Sequence, residues 1–375
     1  MASATRCHVG TRKGLFTIAR GASGWSVSRV SFLGDNCTLA VHDPRNDSLL
    51  ATLNHGHFGV KLHRSHDGGA TWAEIGAPMY PPMREGYVPK MTFSGKPIDW
   101  TLRLIWALEP GGSDRPGVLW CGTMPGGLFK SEDGGHSWVL NRSLWDDPLR
   151  EQWSGGGAEY PGLHSICVNP RNSDDIVIGV STGGAWTTRD GGRTWRIGGK
   201  GMRAEYMPPE LQYEPNAQDA HLVVQCPASP DTLWVQHHNG IFRSTDRAAS
   251  WSEIADVHPS AFGFAVAVHP RDPDTAWFVP AVKDEKRYPA NGRVVVNRTQ
   301  DGGKTFETLA NGLPQEHAYD LVYRHALDID DGGEVLAFGS TTGSLWVSEN
   351  AGDSWQTVSL NLPPIHSVRF DRADM

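Results

Sequence analysis

One pattern, Ser/Thr-x-Asp-x-Gly-x-Ser/Thr-Trp, recurs down this chain. Its copies are SHDGGATW from Ser65, SEDGGHSW from Ser131, TRDGGRTW from Thr188, STDRAASW from Ser244, TQDGGKTF from Thr299 and SENAGDSW from Ser348, with a degenerate seventh, IARGASGW, running from Ile18 to Trp25. The copies start about fifty to sixty-five residues apart, the length of a four-stranded propeller blade. Each follows a short apolar run such as GLFKS or GAWTT and precedes an aromatic one such as WVLN or WRIG. That context predicts a hairpin. The Asp accepts backbone N–H groups across the turn, glycine supplies positive φ, and the Trp packs between neighbouring blades. The expected architecture is all-β: one domain over 1–375, a single seven-bladed propeller with boxes at 18–25, 65–72, 131–138, 188–195, 244–251, 299–306 and 348–355.

The pattern resembles the Asp-box (BNR) repeat of sialidases, xyloglucanases, sortilin-type receptors and photosystem assembly factors. The resemblance covers almost the whole chain and implies the propeller fold. It also implies that the boxes lie on the face away from any active site.

Blade 4 shows the unit most clearly: HSICVNP, DIVIGVS, AWTTRD and WRIGG, separated by Pro, Asn, Asp and Gly turns. The C-terminal HSVRFD matches a first strand, whereas the N-terminal CHVGT matches a second. The two ends are therefore expected to pair, Cys7–Thr11 beside 366–370, and close the ring. In such a ring the strand 1–2 turns and the boxes share one face, while the 2–3 loops and the connections between blades share the other. The long irregular segments 76–103, 141–163, 198–220 and 283–292 all belong to the second face, where function is expected.

The bulk composition excludes some classes. A formal net charge of −8 with no basic stripe argues against nucleic acid. No apolar run is long enough to span a bilayer, and the N-terminus MASATRCHVGTRKG lacks the apolar core of a signal peptide, so a cytoplasmic protein without membrane association is expected. Five cysteines without CxxC spacing read as free buried thiols.

Sixteen histidines are present, and their register is informative. His164 stands six residues before Pro170, His221 six before Pro227, and His366 matches them when HSVRFDR is laid over HSICVNP. His55 and His238 each stand eleven residues after the corresponding turn proline, Pro44 and Pro227. Equivalent positions around a pseudo-symmetry axis can converge. His55, His164, His221 and His238 are therefore predicted to bind one divalent transition metal at the channel mouth (Zn, Fe, Cu, Mn or Ni), with carboxylates in support. Glu159, Tyr160 and Asp219 are the candidate catalytic groups. Arg12, Arg287, Tyr288, His317 and His366 are candidates for binding an anionic or polyhydroxylated small molecule.

Three functions fit this pattern. The first is a metal-dependent hydrolase, lyase or oxygenase acting on a small polar or anionic substrate. The second is a sialidase-like glycoside hydrolase using a carboxylate pair without metal, although the early Arg-Ile-Pro motif of sialidases is absent. The third is a non-enzymatic binding or assembly platform. The matched histidine register favours the first.

Overall fold

Seven antiparallel sheets surround a common axis, each running in chain order from inner to outer strand except the first. The computed structural model describes residues 3–83, 85–86, 95, 97–155 and 159–373. Part of the 76–103 connection lies outside the described residues. In blade 4 the strands are Leu163–Val168, Ile176–Val180, Gly184–Thr188 and Arg196–Ile197. Ile176–Val180 is buried at every residue, because both its faces pack against neighbouring blades. An unbroken apolar run is what such a position requires. The inner strands Cys37–Asp43, Leu104–Pro110, Leu163–Val168, Ala220–Cys226, Gly263–Val268, Leu327–Ile329 and Ile365–Phe370 stand side by side around the axis.

The first blade is completed from the other end of the chain. Ile365–Phe370 is its inner strand and pairs antiparallel with Arg6–Thr11, joining Cys7 to Phe370, Val9 to Val368 and Gly10 to Ser367. The residues just beyond fasten the join. Asp371 accepts from His8 at 2.8 Å, and Arg372 reaches Asp328 at 2.6 Å and the Ile329 carbonyl at 2.6 Å, tying blade 1 to blade 7.

The boxes share one hydrogen-bond scheme. In blade 4, Thr188 Oγ1 donates to Asp190 Oδ1 at 2.8 Å. Asp190 then accepts from Thr194 twice, from its N–H at 2.9 Å and from its hydroxyl at 2.7 Å. Asp67, Asp133, Asp246 and Asp301 do the same, and Asn350 stands in with its amide. The box tryptophans Trp138 and Trp195 bridge blades by hydrogen bonds: Trp138 Nε1 donates to the Gly76 carbonyl at 2.8 Å and Trp195 Nε1 to Asn141 Oδ1 at 2.9 Å. A second set, Trp120, Trp186, Trp234, Trp277 and Trp346, is fully buried within the blades.

The 283–292 segment is more ordered than a loop, because Lys286–Pro289 folds back on Ala276–Lys283 as a fifth strand of blade 6. All five cysteines are free thiols, as expected. No helix among the described residues is long and apolar enough to cross a membrane.

Candidate active site

Blade 5 supplies the centre of the site. Asp219 ends the connection from blade 4, one residue before the inner strand Ala220–Cys226, and His221 is the second residue of that strand. His238 follows the second strand, Ser229–His237, and its backbone N–H donates to the Asp219 carbonyl at 3.0 Å. Ligand atoms of Asp219, His221 and His238 lie within 4.8 Å of one another.

The hydrogen bonds assign the protons. His221 Nδ1 lies 2.6 Å from the Gly263 carbonyl, which can only accept, so the proton sits on Nδ1. Its bare Nε2 then faces Asp219 Oδ2 at 3.8 Å. Burial pulls the His221 pKa down to about 4 against the pull of the Asp219 charge, so the ring is neutral near pH 7. His238 Nδ1 stands 3.4 Å from the same oxygen. Burial disfavours its charged form, but Asp219 outweighs this and raises the pKa above the ordinary value. For Asp219 itself, burial pushes the carboxyl up, while His238, His221 and His237 more than offset it and hold the group below the usual carboxylate range. Its Oδ1 is buried with no hydrogen-bond partner among the described residues.

The walls are aromatic. His221 stacks on Phe264 with centroids 4.5 Å apart, and His238 meets Phe262 and Tyr206 edge-on at 5.9 and 5.0 Å. The 198–220 connection holds this wall in place, since Tyr206 donates its hydroxyl to the Ala217 carbonyl at 2.6 Å and the Gln218 amide donates to the Gln212 and Glu214 carbonyls. It is also tied to the 141–163 connection, because Asn216 accepts from Trp153 Nε1 at 3.1 Å and donates to the Leu149 carbonyl at 2.8 Å.

Arg324 crosses from blade 7 over the inner strands. Its guanidinium lies 4.5 Å from the Trp106 ring of blade 3 and 5.8 Å from Phe264 of blade 6, while its Nε donates to the His221 carbonyl at 2.7 Å. Arg287, from the added strand of blade 6, approaches Phe264 from another side at 5.3 Å.

Of the four histidines expected to share a metal, the structure brings together His221 and His238, with Asp219. His55 lies in blade 2 with its Nδ1 3.6 Å from Asp35. His164 is buried beside Ser165, at 2.9 Å, and edge-on to Trp106, with Nε2 unpartnered among the described residues. Matched register places residues at one height, but the side chains of His55 and His164 are engaged by Asp35 and by Ser165 and Trp106, outside the Asp219, His221 and His238 group. His366 bonds to Asn36 at 2.9 Å, and His317 and Arg12 are exposed. Glu159 is exposed on the rim, Tyr160 is half-buried with the Arg103 guanidinium 5.4 Å from its ring, and Tyr288 is exposed on the strand that carries Arg287.

Arg324, Trp106 and Phe264 were not singled out by the histidine register, although the same count reaches one of them. Phe264 stands six residues before Pro270, as His164 does before Pro170. A search for every residue type at that register would have found it.

No protein-family model matches the chain. The chain is similar to the oligoxyloglucan-reducing end-specific xyloglucanase of Emericella nidulans, at 24% identity over 283 residues, covering 66% of this chain and 31% of that protein. It therefore spans about a third of the length of the curated relatives it matches. Among solved structures, an ancestral GH74 enzyme superposes with a TM-score of 0.55 at 15% identity, covering 90% of this chain and 38% of that one. YCF48 bound to D1 peptide gives 0.50 at 14% identity, covering 86% and 81%. These likenesses agree with the seven-bladed propeller fold.

Proposed function

We propose that the protein is a carbohydrate-active enzyme that cleaves a glycosidic bond at the loop-face mouth of the propeller. One observation carries the proposal: the buried Asp219 carboxyl lies 3.4 Å from His238 Nδ1 on that face, and each holds the other towards its charged form. The similarity to xyloglucanases over two thirds of the chain supports a sugar substrate. So does the exposure of Tyr213, Tyr288 and Tyr319, whose rings suit stacking against sugar faces, on loop-face segments. Most glycoside hydrolases divide the work between two carboxylates. Here Asp219, 3.4 Å from His238 Nδ1, holds and charges the imidazole, and His238 is the group that donates a proton to the leaving group. The rim carboxylate Glu205 is instead paired with Arg203 at 3.3 Å. Incubation with neutral and acidic oligosaccharides, with mass-spectrometric detection of new reducing ends, tests this. Cleavage lost in Asp219→Asn is expected; no cleavage across the panel rejects the proposal.

A second reading rests on the grouping itself. The bare Nε2 of His221 and the Asp219 carboxylate are two acceptors facing each other, an arrangement a divalent transition metal would complete with His238. The Gly263 carbonyl already sets His221 in the tautomer a metal ligand needs. Elemental analysis of protein purified without an affinity tag decides it. A stoichiometric metal lost in His221→Ala would make these three residues ligands, whereas metal-free active protein leaves His238 as the proton donor and Asp219 as its charged partner.

A further inference from the structure

The two arginines at the mouth differ in how their charge is met. Arg287 is held by Asp284, with Nε 3.1 Å from both its carbonyl and its Oδ1. Among the described residues, Arg324 has no such partner. Its Nε is taken by the His221 carbonyl, and among the described residues neither a hydrogen bond to its terminal nitrogens nor a carboxylate within ion-pair distance is found. Asp219 acts on it only from beyond that distance. The two guanidiniums nevertheless converge on one ring, Phe264, and Arg324 also lies 4.5 Å from the Trp106 ring. A part-buried guanidinium beside a second one is a configuration that an anion stabilises.

We infer that Arg324 and Arg287 form an oxyanion-binding pair that receives the carboxylate of an acidic sugar above Phe264. The planar guanidinium of Arg324 matches a carboxylate in two parallel hydrogen bonds, and Phe264 offers an apolar surface to the adjoining sugar ring. The carboxylate would lie next to Asp219 and His238, placing the neighbouring glycosidic bond at the proton-carrying pair. This narrows the substrate to uronic-acid-type saccharides and rests on reading the mouth as a carbohydrate site.

Calorimetric titration tests the pair on the intact chain with glucuronate, galacturonate, their neutral parents glucose and galactose, and glucose 6-phosphate. The uronates should bind with an affinity that falls as salt rises. Arg287→Gln, an exposed change that leaves the fold intact, should weaken them at least tenfold, and Arg324→Lys should do the same while preserving charge. Neutral sugars binding as well as uronates would overturn the inference yet leave glycoside cleavage standing. Preference for the phosphate, uronate binding insensitive to both substitutions, or no binding of uronates would each overturn it as well. Arginine-dependent uronate binding by a protein that cleaves no glycoside would uphold this inference and reject the proposed activity, so the two fail separately.

Discussion

The two faces of this ring are built from the same strands but solve different problems. On the box face, short turns repeat one scheme in which each box Asp accepts from a hydroxyl and backbone N–H groups of its own turn, so that the carboxylate is satisfied locally. On the loop face, the polar groups are met by residues far away in sequence, such as Arg324 on the His221 carbonyl and His325 on the His164 carbonyl, or are left unmet, as at Asp219 Oδ1 and His164 Nε2. Repetition satisfies itself, whereas an irregular face leaves groups poised for something else. A satisfied turn contributes stability; an unsatisfied buried carboxylate costs stability and is kept where a ligand or a reaction uses it.

The contrast can be broken most severely at the seam that both faces share. Deleting residues 364–373 removes an inner strand and the Asp371 and Arg372 clamps, and should lower the melting temperature by roughly 10 °C or more, or abolish soluble protein. Melting close to that of the full chain would show that ring closure is not what holds the faces in register.

Next comes the centre of the loop face. Asp219→Asn should reduce glycoside cleavage about a hundredfold or more while the protein keeps its circular dichroism spectrum. Loss of structure instead of rate would make Asp219 a folding residue, no different in kind from the box aspartates.

Acid should separate the faces by pH window. His325 is buried with its pKa pulled down to about 3 by burial and then by Arg369, and His221 is held at about 4. A depressed imidazole means the unfolded chain takes up the proton first. The stability is therefore full above pH 6.5 and is lost as pH falls towards those values, by about 3 kcal/mol for His325 on reaching about pH 4. The box carboxyls also lose stability as pH falls, but in a lower window. Asp190 and Asp301 are drawn down to about 2, chiefly by hydrogen bonds from Thr194 and Thr305, so their contribution is present above the ordinary carboxylate pKa and disappears only as pH falls through about 2. Denaturant unfolding at stepped pH should show a loss between pH 6.5 and 4 that shrinks in His325→Phe and is untouched by box substitutions. The reverse assignment would contradict the division.

The smallest effect is expected at a single box. Asp190→Ala should cost about 1 kcal/mol in hydrogen bonds and leave cleavage within about twofold of the parent. A selective loss of activity would place the boxes in the functional machinery.

What could be read in advance divides along the same line. The seven sheets, the closure of 6–11 on 365–370 and the box turns were legible because each depends on residues within one blade, repeated at a constant period, and any copy can be checked against the others. The register of His221 and the position of His238 were legible for the same reason. Asp219 was legible as a possible partner of these histidines beside Glu159, but the choice between the two carboxylates was not. Nor was the separation of His55 from the group, because register specifies height along the axis and says nothing about angle around it.

The blade, the number of blades, which end closes which, and which face carries the irregular chain all follow from the repeat pattern. Only the tertiary structure decided that Arg324 of blade 7 would lie between Trp106 of blade 3 and Phe264 of blade 6, that the Gly263 carbonyl would set the tautomer of His221, and that Asp219 would keep an unmet oxygen. The physical reason is the range of the interactions. Turn hydrogen bonds and apolar alternation act within a few residues, whereas the site is made where seven inner strands meet, and its contacts join residues more than a hundred positions apart.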